Sequence, residues 1–313
     1  MAFLDPTAIA RLESMQLRAR TIVEGALSGM HRATLHGSSI EFAQHKEYAA
    51  GDEIRHLDWK AYGKLDRYYI KQYEQESELS SYLVVDATGS MDYRGDGISK
   101  LSYAAYLAGA LAYVLIRQRD KVGLVVYGGV EKSGVPRVRY IPPRARATHL
   151  HDLLAVLEDL ERDGAGGDTD LETALRQVAE YARGRRSQII VLSDLLDRSD
   201  GLGVLTRLRA RRHDVALFHL LDPHELELPF AGLTVFESLE QPDNRMLVDP
   251  GSVRREYRRQ LRAFVDGARE TCVNGGVEYR QVRTDRPFEE TVLDFLTQRV
   301  GAAGDLPEAT WNS

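Results

Sequence analysis

The sequence predicts an α/β protein with a doubly wound, mostly parallel sheet of the Rossmann type, preceded by a helical and β accessory unit. Three observations carry that expectation. From residue 81 onward, short β-branched apolar runs alternate with stretches of helical pattern that are too long for strands. Strands separated by helices need crossover connections, which leave the strands parallel and the helices on both faces. Before residue 80 the pattern differs: one helix is followed by a polar, aromatic-rich segment.

The elements follow in order. The helix "PTAIARLESMQLRARTIVEGALSG" begins after Asp5, has a proline in its first turn and ends at Gly29, the usual asymmetry of helix start and stop signals. The segment from His36 to Glu78 has turn signals at Gly51-Asp52 and Gly63-Lys64 and a strand-like run, "DRYYIKQYE". Trp59, beside turn residues, reads as an anchor of one unit on another. Residues 1–79 are taken as the accessory unit, 80–300 as the main domain and 301–313 as a flexible tail. In the main domain, strands are expected at 81–86, 121–128, 137–141, 187–194, 214–222 and 277–284. Helices are expected at 99–119, 149–160, 169–183, 200–212, 251–273 and 287–299. Only "GGVEKSGVP" separates the second and third strands, so the third is expected as an antiparallel hairpin partner at the sheet edge.

Composition excludes several classes. The chain has 313 residues, 43% hydrophobic and 28% charged, the balance of a soluble globular protein. A net charge of -6 argues against a general nucleic-acid binder. The single cysteine, Cys272, excludes an internal disulfide and a cysteine-built zinc site, and points to a reducing cytoplasm. The N-terminus lacks a cationic stretch followed by an apolar one, so no signal peptide is expected. The uncharged run "LSYAAYLAGALAYVLI", closed off by Lys100 and Arg117, is too short for a membrane span and reads as a buried helix.

In open α/β sheets, ligands bind beyond the carboxyl ends of the strands, where the strand order reverses. Asp86 ends the first strand and Asp194 the fourth. If those strands are neighbours, in the order 3-2-1-4, the two carboxylates meet there. Thr88 and Ser90 lie on the turn after Asp86, and Thr169 lies on the loosened loop "GGDTDLETAL". Three hydroxyls and two carboxylates form a hard oxygen donor set, which selects Mg²⁺, Mn²⁺ or Ca²⁺ over zinc or copper. A remaining coordination position would take a carboxylate from a partner.

The motifs D-x-T-x-S at 86–90 and G-G-x-T-x-L at 166–171, with the strand-terminal Asp194, resemble the metal-ion-dependent adhesion site of von Willebrand factor A domains. Asp86, Thr88, Ser90, Thr169 and Asp194 fall on its five positions. Serine is usual where this chain has Thr88, and the threonine keeps the oxygen. The likeness spans roughly residues 80 to 220. The upstream "EFAQHKEYAAGDEIRHLDWKAYGKLDRYYIKQYEQESE" is similar to the signature of the bacterial "domain of unknown function 58" family. Many members of that family carry membrane helices ahead of it. The resemblance implies an interaction module or adaptor that works with a MoxR-type AAA+ ATPase in assembling or activating other proteins, rather than an enzyme.

Other readings stand beside this one. The Asp86 cluster could cap the next helix without metal, through Ser90 or Asp92. Haloacid-dehalogenase-type phosphohydrolases also bind Mg²⁺ at D-x-D-x-T after a first strand, with the first aspartate as nucleophile. Asp86 would take that role, but Thr88 stands where the second aspartate supplies acid/base chemistry. A third reading is an interaction module that never holds metal. No G-x-S-x-G elbow or G-x-x-x-x-G-K-[ST] loop is present. His149 and His151 read as surface or capping residues, and "RGD" at 94–96 as coincidence. Arg254, Arg258 and Arg262, four residues apart, read as a solvated basic stripe, with a docking face for an acidic partner as the minority option.

Overall fold

The computed structural model describes residues 5–34, 46–47, 69–70, 79–129, 138–166, 170–197, 199–240 and 243–304. Contacts divide the chain into two compact units, residues 1–27 with 79–313, and residues 28–78. The division falls inside the helix Met15–Thr34, so residues 1–27 count with the sheet-bearing unit. Of the second unit, the described part is the end of helix α2 (Met15–Thr34) and a two-residue antiparallel ladder, β1 (Lys46–Glu47) with β2 (Tyr69–Ile70). Trp59, Thr169 and the end of the tail lie outside the described residues.

A six-stranded sheet organises the main unit. Its strands are β3 (Ser80–Ala87), β4 (Lys121–Gly128), β5 (Arg139–Arg144), β6 (Ser187–Ser193), β7 (Asp214–Leu221) and β10 (Glu278–Arg283). The spatial order is β10-β7-β6-β3-β4-β5. All neighbours are parallel except β4 and β5, as the short connection between those two predicts. The fold is thus the mostly parallel, doubly wound α/β arrangement, with first and fourth strands adjacent.

Strand periodicity divides the core between the two faces. Leu83, Val85 and Ala87 of β3 join one apolar cluster, while Tyr82 and Val84 join the other. The first cluster is covered by α1 (Pro6–Ala10), α2 (Met15–Thr34, through Ala26), α3 (Lys100–Arg117), α4 (Ala147–Asp163) and α9 (Phe288–Gly304). The second is covered by α5 (Leu171–Tyr181), α6 (Gly201–Ala210) and α8 (Pro250–Asn274). α3 is buried on nearly every side because it lies between the sheet and other helices. A Cβ on its Gly109 would sit 3.1 Å from Leu154 Cδ2, so the α3–α4 approach uses the missing side chain. The membrane-like run is this core helix, and no helix among the described residues is long and apolar enough to cross a membrane.

Three local features differ from expectation. The single N-terminal helix is broken into α1 and α2 by a turn at 11–14. Arg18 donates to the carbonyls of Leu12 (3.0 Å) and Ala10 (3.0 Å), which satisfies groups the break leaves open. A short helix, α7 (Pro223–Glu227), and a hairpin, β8 (Thr234–Glu237) with β9 (Arg245–Val248), occupy the stretch between β7 and α8. Arg254 and Arg258 are not simply solvated: Arg254 donates to the carbonyls of Leu228 (2.9 Å) and Phe230 (2.6 Å), and Arg258 to that of Glu227 (2.9 Å). They hold the chain leaving α7 against α8.

Candidate metal centre

The chain leaves β3 for β4 on one side and β6 for β7 on the other, so the crevice between β3 and β6 is the place where the strand order reverses. Asp86, one residue before the end of β3, is 3% exposed there. The backbone N–H and hydroxyl of Thr88 both donate to Asp86 Oδ1, at 2.9 and 2.7 Å. Ser90 Oγ lies 3.3 Å from Thr88 Oγ1. The chain then makes a tight turn, Gly89–Asp92, that holds both hydroxyls on one side of the strand end.

The other carboxylate oxygen is fixed from neighbouring strands. Ser193 Oγ (2.6 Å) and Tyr127 OH (2.7 Å) donate to Asp86 Oδ2. Tyr127 reaches it because it is the registered partner of Asp86 across the β3–β4 pair. Burial, and then the Asp194 carboxylate, push Asp86 up to about 6, against the pull of the Ser193 and Thr88 donors. The Tyr127 hydroxyl is held protonated, far above its ordinary range, by burial and by Asp86.

Asp194 follows β6 directly. Its Oδ1 accepts from the backbone N–H of Leu196 (3.0 Å), and its Oδ2 from the ammonium of Lys100 (2.8 Å). Lys100 also donates to Glu225 Oε1 at 2.5 Å and is completely buried. Burial alone would lower its pKa, but the Asp194 and Glu225 carboxylates raise it above the ordinary lysine value. A cation in the first turn of α3 faces the positive end of the helix dipole, so the two carboxylates rather than the helix hold this charge. Glu225 is itself fixed by a capping box: its Oε2 accepts from the Asp222 N–H, and Asp222 caps α7. Behind Asp194, His219 places Nε2 3.0 Å from the Asp194 carbonyl and Nδ1 2.7 Å from Tyr279 OH. Burial lowers His219 to about 4, so the ring is neutral at neutral pH.

Of the five residues expected from the sequence, Asp86, Thr88 and Ser90 form one hydrogen-bonded cluster. Asp194 stands beside it with its carboxylate turned to Lys100. Thr169 lies outside the described residues, but the N–H of Gly166 donates to the carbonyl of Ala87 at 2.8 Å, which brings that loop to the end of β3. Sequence reasoning missed Lys100, Tyr127, Ser193 and Glu225. The local signal for Lys100 was a lysine in the first turn of a helix, where the dipole disfavours it. His149, expected at the surface or as a cap, is buried with Nε2 2.8 Å from the Val122 carbonyl. In the "RGD" stretch, the Gly95 N–H donates to Asp222, and Asp96 lies 3.2 Å from His224.

Three oxygens of the cluster fit a small hard cation. Adjacent ligands in an octahedron with bonds of about 2.1 Å lie about 3 Å apart, and the two spacings here, 2.7 and 3.3 Å, bracket that value. The charge also fits: the one buried ammonium, Lys100, pairs with the Asp194 and Glu225 carboxylates, while Asp86 accepts from the neutral donors Thr88, Tyr127 and Ser193. Among the described residues, no group of three or more His, Cys, Asp or Glu is arranged to hold a metal, so any cation here depends on the hydroxyls.

The turn carrying Thr88 and Ser90 has a roof. A Cβ on Gly89 would lie 2.6 Å from the carbonyl oxygen of Leu239 and 3.2 Å from Glu240 Cγ, so the chain after β8 crosses directly over this turn. The β8–β9 hairpin leading there exposes Val235, Met246 and Leu247 by 60–63%.

The fold is a doubly wound, mostly parallel α/β domain with a polar cluster at the sheet top. The chain belongs to the family described as Protein of unknown function DUF58, whose model matches residues 44–265. It is 26% identical over 296 residues to Uncharacterized protein Rv1480 of Mycobacterium tuberculosis, spanning 94% of this chain and 90% of that one. Among solved structures, it is similar to an aerotolerance-related membrane protein from Bacteroides fragilis, at TM-score 0.45 and 17% identity, over 72% of this chain and 99% of that one. It is also similar to the SpRpn10 VWA domain, at TM-score 0.41 and 10% identity, over 68% and 93% of the two chains.

Proposed function

We propose that this protein is a metal-dependent interaction module, acting in the cytoplasm with a MoxR-type AAA+ ATPase in the assembly or activation of other proteins. Asp86, Thr88 and Ser90 would hold a divalent cation, most simply Mg²⁺, with Mn²⁺ or Ca²⁺ as substitutes. Thr169 and Asp194 would complete the set from the second and third loops, Asp194 through a water. When bound, the cation supplies a Lewis-acidic position that takes a Glu or Asp from the partner. The single observation carrying this reading is the Asp86–Thr88–Ser90 cluster, buried at its base and spaced for a hard cation.

The chain's own residues set the terms of recognition. Tyr127 and Ser193 hold Asp86 Oδ2, leaving Oδ1 toward the hydroxyls. Lys100 turns the Asp194 carboxylate away from direct competition for the cation. The exposed apolar ribbon of β8 and β9 adds surface of the kind a protein partner covers. The phosphohydrolase reading has less support. The residue two after Asp86 donates a hydrogen bond to it and cannot act as a carboxylate acid/base there.

The test is affinity capture of the MoxR-type ATPase with Mg²⁺ or EDTA, using wild type and Asp86→Ala. Capture that needs both Mg²⁺ and Asp86 supports the reading. Capture unchanged by EDTA and by the substitution would leave a metal-free module. Phosphate release from phosphomonoesters that is lost in Asp86→Asn would favour the enzyme.

A further inference from the structure

At the end of the sheet opposite Asp86, the last turn of α6 and the loops entering β6 and β7 carry Arg183, Arg185, Arg186, Arg209, Arg211 and Arg212 around one open cleft of about 670 Å³. Two carboxylates answer part of this charge. Asp214 pairs with Arg186 at 2.9 Å and Arg209 at 3.6 Å, and Glu180 pairs with Arg183. Arg185, Arg211 and Arg212 are exposed, and no side-chain hydrogen bond or ion pair is recorded for them among the described residues. This positive pole stands on a chain whose net charge is -6, so it is a local feature rather than a general basic character.

Helix ends explain some of these residues. α5 and α6 both finish at this pole, and Arg207 and Arg209 in the last turn of α6 complement its dipole. Arg185, Arg211 and Arg212 lie beyond the last helical turns. Arg212 also holds a left-handed backbone, φ 68°, where glycine is the easier residue. The second observation is independent of charge. His213, 6% exposed, lines the same cleft, and its buried Nδ1 has no hydrogen-bond partner. Buried polar atoms are ordinarily paired, and this one is not.

The lining separates ligand classes. Small-molecule pockets are mostly apolar with a few polar groups, whereas six of the nine residues lining this cleft are arginines. Among the described residues, no Phe, Tyr or Trp lines it, so these residues offer none of the aromatic platforms on which bases stack. Planar guanidinium forks match carboxylates two bonds at a time, and arginine clusters are a recurring means of reading acidic motifs. We propose that this cleft is a docking site for an acidic peptide segment of a partner protein, gripped by Arg185, Arg211 and Arg212 with His213 at its floor. The site is separate from the cation cluster and does not rest on it.

The test is fluorescence anisotropy of a labelled Glu-rich peptide with the full chain at low salt. Wild type should bind saturably, and R185E/R211E/R212E should lose about tenfold or more in affinity, from three exposed charge contacts. R185Q/R211Q/R212Q should fall between them. The control R255E/R262E on α8 should bind as wild type does, and EDTA should change nothing. Circular dichroism checks that each variant is folded. Peptide binding equal in wild type and the triple reversal, or no peptide binding at all, overturns the proposal. Tripolyphosphate binding through the same arginines without peptide binding also overturns it, in favour of a phosphate ligand.

Discussion

Lys100→Met removes the buried ammonium while keeping an unbranched side chain of similar length. In the wild type, that ammonium lies 2.8 Å from Asp194 and 2.5 Å from Glu225, with no exposure. At an effective dielectric constant of about 20, the attraction to Asp194 alone is about 6 kcal/mol, most of it offset by the cost of burying the charges. Removing one member of such a group leaves the others buried without compensation, a loss of about 3–5 kcal/mol. For a domain of this size, that lowers the melting temperature by roughly 6–20 °C. Urea denaturation in EDTA measures the loss. Millimolar Mg²⁺ should restore more stability to Lys100→Met than it adds to wild type, because the variant carries more uncompensated negative charge. A variant within about 0.5 kcal/mol of wild type in EDTA would refute the reasoning, since that is the range of a substitution away from any buried charge network.

Two opposed pH dependences should appear in metal-free protein. Asp86 is raised from 3.8 to about 6, so the folded state holds the proton more tightly and stability falls as pH rises through that window, by about 3 kcal/mol. His219 is lowered from 6.5 to about 4, so stability falls as pH drops through its window, by a similar amount of about 3 kcal/mol. Urea titrations of Asp86→Asn should therefore expose a rise with pH between those limits, and His219→Gln a decline. Slopes that do not separate in this way contradict the two assignments. Gly89→Ala places a methyl against the Leu239 carbonyl and should destabilise by about 1–3 kcal/mol, with faster proteolysis of the chain after β8. Arg254→Ala removes the bonds to Leu228 and Phe230 and should cost about 1–3 kcal/mol in chemical denaturation.

The sheet was legible because its signal is local and repetitive. Runs such as "SYLVVD" and "SQIIVLSD" are continuous and apolar, as buried parallel strands are, and the helices between them set the connectivity. Asp86 and Asp194 were legible as residues at strand ends, where a charged group interrupts an apolar run. The β8–β9 hairpin was not. Its strands are four residues long, "TVFE" and "RMLV", mostly exposed on both faces, and no Asn-Gly or Asp-Gly turn joins them. The break between α1 and α2 was hidden because its stabilising contacts come from Arg18, one turn into the next helix.

Lys100 shows the deeper limit. In sequence it reads as the polar boundary of an uncharged run. Its partners lie 94 and 125 residues away, and no local pattern carries information over that distance. The same holds for Tyr127 and Ser193, whose hydroxyls matter only because β4 and β6 flank β3. Arg254 and Arg258 were read as solvated from their helical spacing, which cannot show that the carbonyls leaving α7 lie above them.

Binding of Mn²⁺, followed by electron paramagnetic resonance with Mg²⁺ as competitor, tests the central claim most directly. Wild type is expected to bind one equivalent at the sheet top, displaced by Mg²⁺. Asp86→Ala should lose that binding with unchanged circular dichroism. Equal binding by the two proteins, or none by wild type at millimolar Mn²⁺, would contradict it.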